Sequence, residues 1–218
     1  MRERAAVDAK PIGRVAMQAE LFVTDEVVTR RGITWVALAG EPGEHTQGWI
    51  DAEELRRWFP AAPPSGIADD ELWIDVELEQ QTLAVMLGDT PLFVTMIASG
   101  NHKHPTPQGV FRIQTKMAIS DMDSQPGDEE AYAVEGVPWA QFFHKRYGLH
   151  GTFWHNRFGR RTSHGCVNLS ARDAALVYAM TTPDPLPGWA MAFAHADDPG
   201  SVVRVRKLDA PVVDRRAP

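Results

Sequence analysis

The sequence almost lacks cysteine: Cys166 stands alone in 218 residues. That excludes an internal disulfide. It also excludes a cysteine-rich zinc site, which needs several thiolates at close spacing. The redox compartment stays open, because an exported enzyme with a catalytic thiol does well without a second cysteine to oxidise with it. No apolar run approaches the roughly 20 residues of a membrane-spanning helix. The opening stretch, MRERAAVDAKPIGRVAMQAELF, carries positive charge but no apolar run of signal-peptide length. Excess positive charge is missing too. The net charge is −7 and the pI about 5.6, which argues against a duplex nucleic-acid binder. Internal repeats and long low-complexity tracts are absent. With 44% hydrophobic and 23% charged residues, the chain can bury a core and form one large domain or two modest ones.

The clearest seam is PAAPPSGIADD, Pro60 to Asp70, whose prolines, glycine and small residues suit an exposed linker. It divides a β-rich region at 1–60 from the main domain at 71–208, with a linker at 61–70 and a fraying tail at 209–218. In the first region AELFVT, ITWVALAG and QGWIDAEEL read as short strands between turns. Trp35, Val36, Gly48, Trp49 and Ile50 give this region a resemblance to bacterial Src-homology-type barrels. A plain β extension packed on the main domain reads equally well.

After the seam, Leu72, Ile74, Val76 and Leu78 alternate with Asp75, Glu77 and Glu79, the period of a strand. QTLAVMLG and LFVTMIAS continue it as an antiparallel meander, turning at Gly88–Pro91. VFRIQT, 110–115, reads as a fourth strand and SVVRVRK, 201–207, as another. Between them SDMDSQPGDEEAY, 120–132, reads as an acidic, flexible stretch. One helix is well signalled. Ser170 is its cap, Asp173 holds the reciprocal position of a capping box, ARDAALVYAM carries the helical spacing, and Pro183 stops it. Cys166 then lies four residues before a positive helix end.

The chemistry gathers in TSHGCVNLS, Thr162–Ser170. A lone cysteine is most often a small buried hydrophobe. Ser163, His164, Gly165 and Asn168 around it are polar or small and make no core stripe. A free thiol, with pKa about 8.5, needs a base to become a nucleophile. His144, His150, His155 and His164 are all near in sequence. A zinc site from His150, His155, His164 and Cys166 matches no metal-ligand spacing.

The run H-G-T…S-H-G-C-V-N, from His150 to Asn168, resembles the signature of the L,D-transpeptidase catalytic domain, the YkuD-type family. PTPQG, Pro105–Gly109, resembles that family's Thr-Pro-x-Gly turn, and the 74–100 segment resembles its opening meander. The resemblance covers Leu72 to Lys207. It implies a mainly β, YkuD-like sandwich with one or two short helices, acting on peptidoglycan stem peptides without metal or cofactor. It makes Cys166 the nucleophile and His150 the base, with the Gly151 carbonyl orienting the imidazole. His164 and Gly165 would shape the nucleophile loop with Ser163, and the Gly165 and Cys166 amides would hold the oxyanion. Asn168 marks the branch of the family that has asparagine, not arginine, there. The products implied are a 3→3 cross-link, protein attachment through an amine, or, with water, L,D-carboxypeptidation. A non-catalytic wall-binding module is the competing reading. The substrate implies a periplasmic or cell-envelope location.

Some residues are this chain's own. Trp154, Arg157, Arg160 and Arg161 lie on the loop joining base to nucleophile, and a guanidinium there suits a stem carboxylate. A solvated basic loop is the plainer reading. Trp139, Phe142 and Phe143 form either a cleft wall or core. His102 and His104 read as loop histidines.

Overall fold

The structure, a computed structural model, describes residues 1–40, 48–124 and 131–208. The chain divides into two compact units, Met1–Arg57 and Trp58–Pro218. The expected tail at 209–218 lies outside the described residues.

In the first unit β1 (Val23–Arg30), β2 (Ile33–Leu38) and β3 (Gly48–Asp51) form one antiparallel sheet in that order. Arg31 and Gly32 both take positive φ between the paired Arg30 and Ile33. That backbone is the type I′ turn, whose twist matches a two-residue hairpin. Trp35, Val36, Ala37 and Leu38 are buried. A short 3-10 turn follows β3, capped by Asp51, whose side chain accepts the Glu53 N–H. The AELFVT segment enters the sheet only at Val23. The described residues make three strands and close no barrel.

In the second unit β4 (Leu72–Glu77), β5 (Thr82–Leu87) and β6 (Thr90–Met96) form the expected antiparallel meander. There follow β7 (Gly109–Arg112), β8 (Thr115–Asp123), β9 (Ala133–His144), β10 (Tyr147–Thr152), β11 (Val167–Ser170), the helix α1 (Ala171–Met180), β12 (Met191–Phe193) and β13 (Val202–Arg206). They make two five-stranded sheets, ordered β6-β5-β4-β13-β7 and β11-β10-β9-β8-β12. Ile74, Val76, Phe111 and Val203 from the first meet Phe143, Leu149, Val167 and Leu169 from the second in one core. Ala174 and Val177 of α1 join the same cluster. This is the sandwich with one helix.

Two expectations are corrected, and a third feature of the sequence gains its meaning. VFRIQT is two strands, because the chain crosses between sheets at Ile113 and Gln114. Ile113 N–H donates to Ser201 O beside one sheet, and Gln114 N–H to Phe142 O in the other. The acidic stretch begins as strand, since Ser120–Asp123 complete β8, while 125–130 lie outside the described residues. The polar face of β4 is buried: Asp75 and Glu77 are 3% and 1% exposed. The cause is β13, which pairs in parallel register and sets Arg204 against Asp75 and Arg206 against Glu77. Arg204 Nε donates to Asp75 Oδ1 at 2.8 Å and Arg206 Nη2 to Oδ2 at 2.9 Å. Arg204 Nη1 also donates to Ala62 O and Arg206 Nη2 to Phe59 O, which pins the start of the proline-rich segment along the sheet. Arg204 also lies over the Trp73 ring.

The α1 cap forms as expected on one side only. Ser170 Oγ accepts the Asp173 N–H at 3.1 Å, while the Asp173 carboxylate takes the Thr95 hydroxyl at 2.8 Å. At the other end Lys116, fully buried, donates to Tyr178 O and Thr181 O and so satisfies carbonyls the helix leaves open. Burial pushes its ammonium down to about 8.

Asp75→Asn removes the one carboxylate shared by two buried guanidinium groups. Unpaired buried charge is costly, so equilibrium urea unfolding should show a loss of about 3–5 kcal/mol. A loss below about 1 kcal/mol would mean the cluster is solvated in solution.

Candidate active site

The site is built on the parallel pair β10 and β11. Leu149 pairs with Val167 and Gly151 with Leu169. Leu149, Val167 and Leu169 are wholly buried in the core. Alternation then turns the intervening pair, His150 and Asn168, onto the opposite face. Continuing the register one step back sets Cys166 beside Gly148, on the same face and two positions from Asn168. At strand spacings the Cα atoms of Cys166 and His150 lie about 8 Å apart, a gap that a thiol and an imidazole can close between them.

His150 is 3% exposed, and its Nδ1 lies 3.0 Å from Gly151 O. A carbonyl only accepts, so Nδ1 carries the hydrogen and Nε2 keeps its lone pair. Burial drives the imidazole pKa down to about 4, against the pull of the Gly151 carbonyl, and nearby His155 lowers it further. The Trp154 ring stacks on it with centroids 5.9 Å apart. Gly151 can be nothing larger: a Cβ there would meet Pro138 Cγ at 2.9 Å and Pro138 O at 3.2 Å.

Cys166 is half-buried, and its S–H donates to Arg146 O at 3.6 Å. Burial pushes the thiol pKa up. The Gly148 backbone hydrogen bond and the Arg146 charge oppose that shift. The helix end gives little help, because β11 places it about 13 Å away.

Two hydroxyls brace the loop. Ser163 Oγ donates to Cys166 O at 2.5 Å and accepts the Gly165 N–H at 3.1 Å. Thr106 Oγ1 donates to Gly165 O at 2.8 Å and accepts the Gly100 N–H at 2.9 Å. Gly165 sits at φ +115°, and a Cβ there would lie 2.5 Å from the Tyr147 ring. Its amide is engaged by Ser163, which corrects the expectation that it stands free for an oxyanion; the Cys166 amide keeps that candidacy. His164 is exposed, its ring between those of His104 and Tyr132 at 4.9 and 4.8 Å.

Asn168 is 4% exposed, with its Nδ2 3.0 Å from His155 Nε2. His155 Nδ1 accepts the Arg157 N–H, and burial and the Arg157 charge lower the ring's pKa. A neutral ring so engaged carries its hydrogen on Nε2 and needs an acceptor opposite. With the NH2 turned to His155, Asn168 Oδ1 is buried without a donor. The pairing therefore requires the amide oxygen to face His155, and His155 thereby fixes Asn168.

The remaining candidates part company. Arg161 donates through Nε and Nη2 to Leu78 O, which ties the loop to the residue after β4. Arg157 and Arg160 are exposed. Trp139 packs on Tyr178 of α1 and on the core, away from the Cys166 face. Phe143 is core and Phe142 is half-buried. Among the described residues no group of three or more His, Cys, Asp or Glu could hold a metal ion. Sequence reasoning missed Thr106, Arg146 and the positioning part of His155. Only Thr106 left a signal, in the PTPQG turn.

A two-sheet sandwich with a thiol and a buried neutral imidazole on one sheet face defines the class. The profile of the L,D-transpeptidase catalytic domain matches residues 71–205, and the chain belongs to that family. It is 26% identical over 139 residues to YciB of Bacillus subtilis (strain 168), whose name places it among L,D-transpeptidases, covering 53% of this chain and 66% of that one. A solved L,D-transpeptidase from Mycobacterium smegmatis is 26% identical at TM-score 0.51, covering 62% of this chain and 58% of that one. The catalytic domain of the E. faecium enzyme shares the fold at 22% identity and TM-score 0.50, covering 63% of this chain and 98% of that one. The chain thus spans less than two thirds of the curated relative and of the M. smegmatis protein.

Thr106→Val keeps the shape but leaves the buried Gly100 N–H without its acceptor. Urea unfolding should show a loss of about 1–3 kcal/mol. An unchanged midpoint would show that Thr106 does not brace the loop.

Proposed function

We propose that this chain is a peptidoglycan L,D-transpeptidase with Cys166 as nucleophile and His150 as base. Members of the family act on peptidoglycan peptides and are associated with the cell envelope. The observation that carries the reading is the His150 tautomer. Nδ1–H is tied to Gly151 O, which leaves a neutral Nε2 able to take a proton on the face that Cys166 shares.

Rotation about the Cys166 side chain takes the S–H from Arg146 O towards that nitrogen. His150 accepts the proton as sulfur attacks the carbonyl carbon of the third stem residue, a diamino acid. The Cys166 amide donates to the developing oxyanion. The C–N bond to the terminal D-alanine breaks, and His150 returns the proton to the departing nitrogen. An amine from a second stem then attacks the thioester, giving its proton to His150. The thiolate leaves and is reprotonated, and a 3→3 cross-link results. An amine on a protein gives attachment to the wall. Water in place of the amine gives carboxypeptidation with the same residues. Trp154, stacked on His150, shields the base from solvent. Asn168, fixed by His155, holds the floor of the site, while Ser163 and His164 shape the approach to sulfur.

Incubation with a disaccharide-tetrapeptide, read by mass spectrometry, should give a cross-linked dimer lacking one D-alanine. Cys166→Ala should give none, and His150→Gln should lower the rate by about 10²–10⁴-fold. A tripeptide product alone would make the enzyme a carboxypeptidase. No product with the native protein would favour a wall-binding module.

The pH profile tests the neutral pair. A depressed imidazole pKa keeps His150 unprotonated at every pH above about 4. The rate of acylation should therefore hold through neutrality and fall on the acid side near pH 4. An acid limb near pH 7 would contradict a buried neutral base.

A further inference from the structure

The residue whose carbonyl receives the Cys166 thiol also carries a charge that the catalytic steps leave unused. Arg146 stands with Lys145 in the two-residue turn between β9 and β10, since Tyr147 already pairs with His144. Arg146 is exposed, and its carbonyl lies 3.6 Å from the Cys166 sulfur. An extended arginine side chain measures about 6 Å from Cα to Cζ by its bond lengths, so the guanidinium stays within one side chain of the nucleophile's neighbour. The charge is felt at the thiol, where it opposes the upward push of burial.

Contacts hold the guanidinium beside the site. Arg146 Nη2 donates to Asp123 O at 3.0 Å and to Tyr132 Oη at 3.4 Å. The Tyr132 ring lies against the His164 ring, with centroids 4.8 Å apart, and His164 stands two residues before Cys166. The contacts thus run from Cys166 to Arg146, from there to Tyr132 and His164, and back along the chain to Cys166. A hydroxyl that accepts still has its own hydrogen to give, so Tyr132 offers a second donor beside the guanidinium. A planar N–H fork with a neighbouring hydroxyl suits a carboxylate.

We infer that Arg146, with Tyr132, binds a carboxylate on the acyl half of the donor, the half that stays on sulfur, and so selects a third stem residue that is a diamino dicarboxylic acid. This rests on the transpeptidase reading. Position decides the half. β10 passes Cys166 at Gly148, with His150 two residues after that point and Arg146 two before it. His150 hands a proton to the departing nitrogen, so the leaving residue lies on the His150 side. The acyl half then extends towards Arg146. Reach agrees. In a seven-carbon diamino dicarboxylic acid the far carboxyl carbon is six bonds from the attacked carbon, about 7 Å when extended. The carbonyl contact and the side-chain length keep the guanidinium within about 12 Å of the sulfur, and an acyl-bound carboxylate with its hydrogen bond reaches as far. A lysine-type third residue would bring an ammonium to the same place, which the Arg146 charge repels.

Two measurements test the assignment. D-alanine release is followed with two tetrapeptide donors that differ only at the third residue's side-chain carboxyl, free in one and amidated in the other. The native protein should show a kcat/KM about tenfold higher for the free acid, the worth of one charged hydrogen bond. In Arg146→Gln that ratio should fall to within about twofold of one, while Arg146→Lys, which keeps the charge, should hold part of it. The substitution leaves the backbone carbonyl that meets the thiol, and the residue is exposed, so the melting temperature should stay within about 2 °C of native. A third donor, amidated instead at its terminal carboxyl, should lose the same factor with native and variant alike. A native protein that treats the first two donors alike, a variant that keeps their ratio, or a variant that changes only the response to the terminal amide overturns the assignment. If no donor releases D-alanine, the transpeptidase reading fails, and the second measurement decides by itself whether Arg146 binds a carboxylate beside Cys166. The thiol is alkylated with iodoacetate and with iodoacetamide. In each case sulfur bonds to the methylene carbon, iodide leaves and the thiol proton passes to water. Any effect of Arg146 on the thiolate fraction acts on both reagents, so the ratio of rates isolates the carboxylate. The iodoacetate-to-iodoacetamide ratio should fall at least about fivefold from native to Arg146→Gln. An unchanged ratio overturns the carboxylate site.

Discussion

The parallel register of β10 and β11 is the constraint on which the site depends. Leu149, Val167 and Leu169 are held in the core, and their burial leaves His150 and Asn168 no choice of face. A one-residue slip would put the imidazole in the hydrophobic core and Leu149 in its place. Such a slip would trade a buried leucine for an imidazole in the core. Hydrophobic burial, which has no direction of its own, here fixes the face on which His150 and Asn168 stand.

Around that pair the structure uses close contact and buried polar bonds. Gly151 abuts Pro138 and Gly165 abuts Tyr147, so the backbone beside His150 and beside Cys166 is fixed by neighbours that exclude a side chain. Ser163 and Thr106 join the nucleophile loop to itself and to the 100–106 segment. Arg161 ties the other end of the same loop to Leu78. Each bond ends on a backbone carbonyl. The second sheet contributes its own buried charge, where Asp75 receives two arginines from β13 and fastens the proline-rich segment along with it.

Burial also acts on the ionisable groups of the site: it pushes the Cys166 thiol up and the His150 imidazole down, so each favours its neutral form. A low-dielectric site strengthens the hydrogen bond between Nδ1 and Gly151 O while disfavouring a separated ion pair.

The sequence by itself determined a good part of this. Alternation marked β4, β5 and β6, the Ser170 cap marked α1, and the run from His150 to Asn168 marked the family. These are local signals, written in periods of two and 3.6 or in adjacent residues, and they need no partner to be read. Tertiary structure decided the rest. Asp75 alternates with apolar residues in the sequence, but only β13, 129 positions away, lays Arg204 beside it. Nothing near Arg161 in the chain shows that its side chain bonds to Leu78 O, 83 positions away. VFRIQT looked like one strand until its two halves joined different sheets. Nothing near Arg146 in the chain announces that its carbonyl receives the Cys166 thiol, and nothing near His155 that it orients Asn168. Each of these facts lives in a contact between distant segments. Only packing brings such segments together, and packing decides which polar group is buried, which is satisfied and which remains free to react.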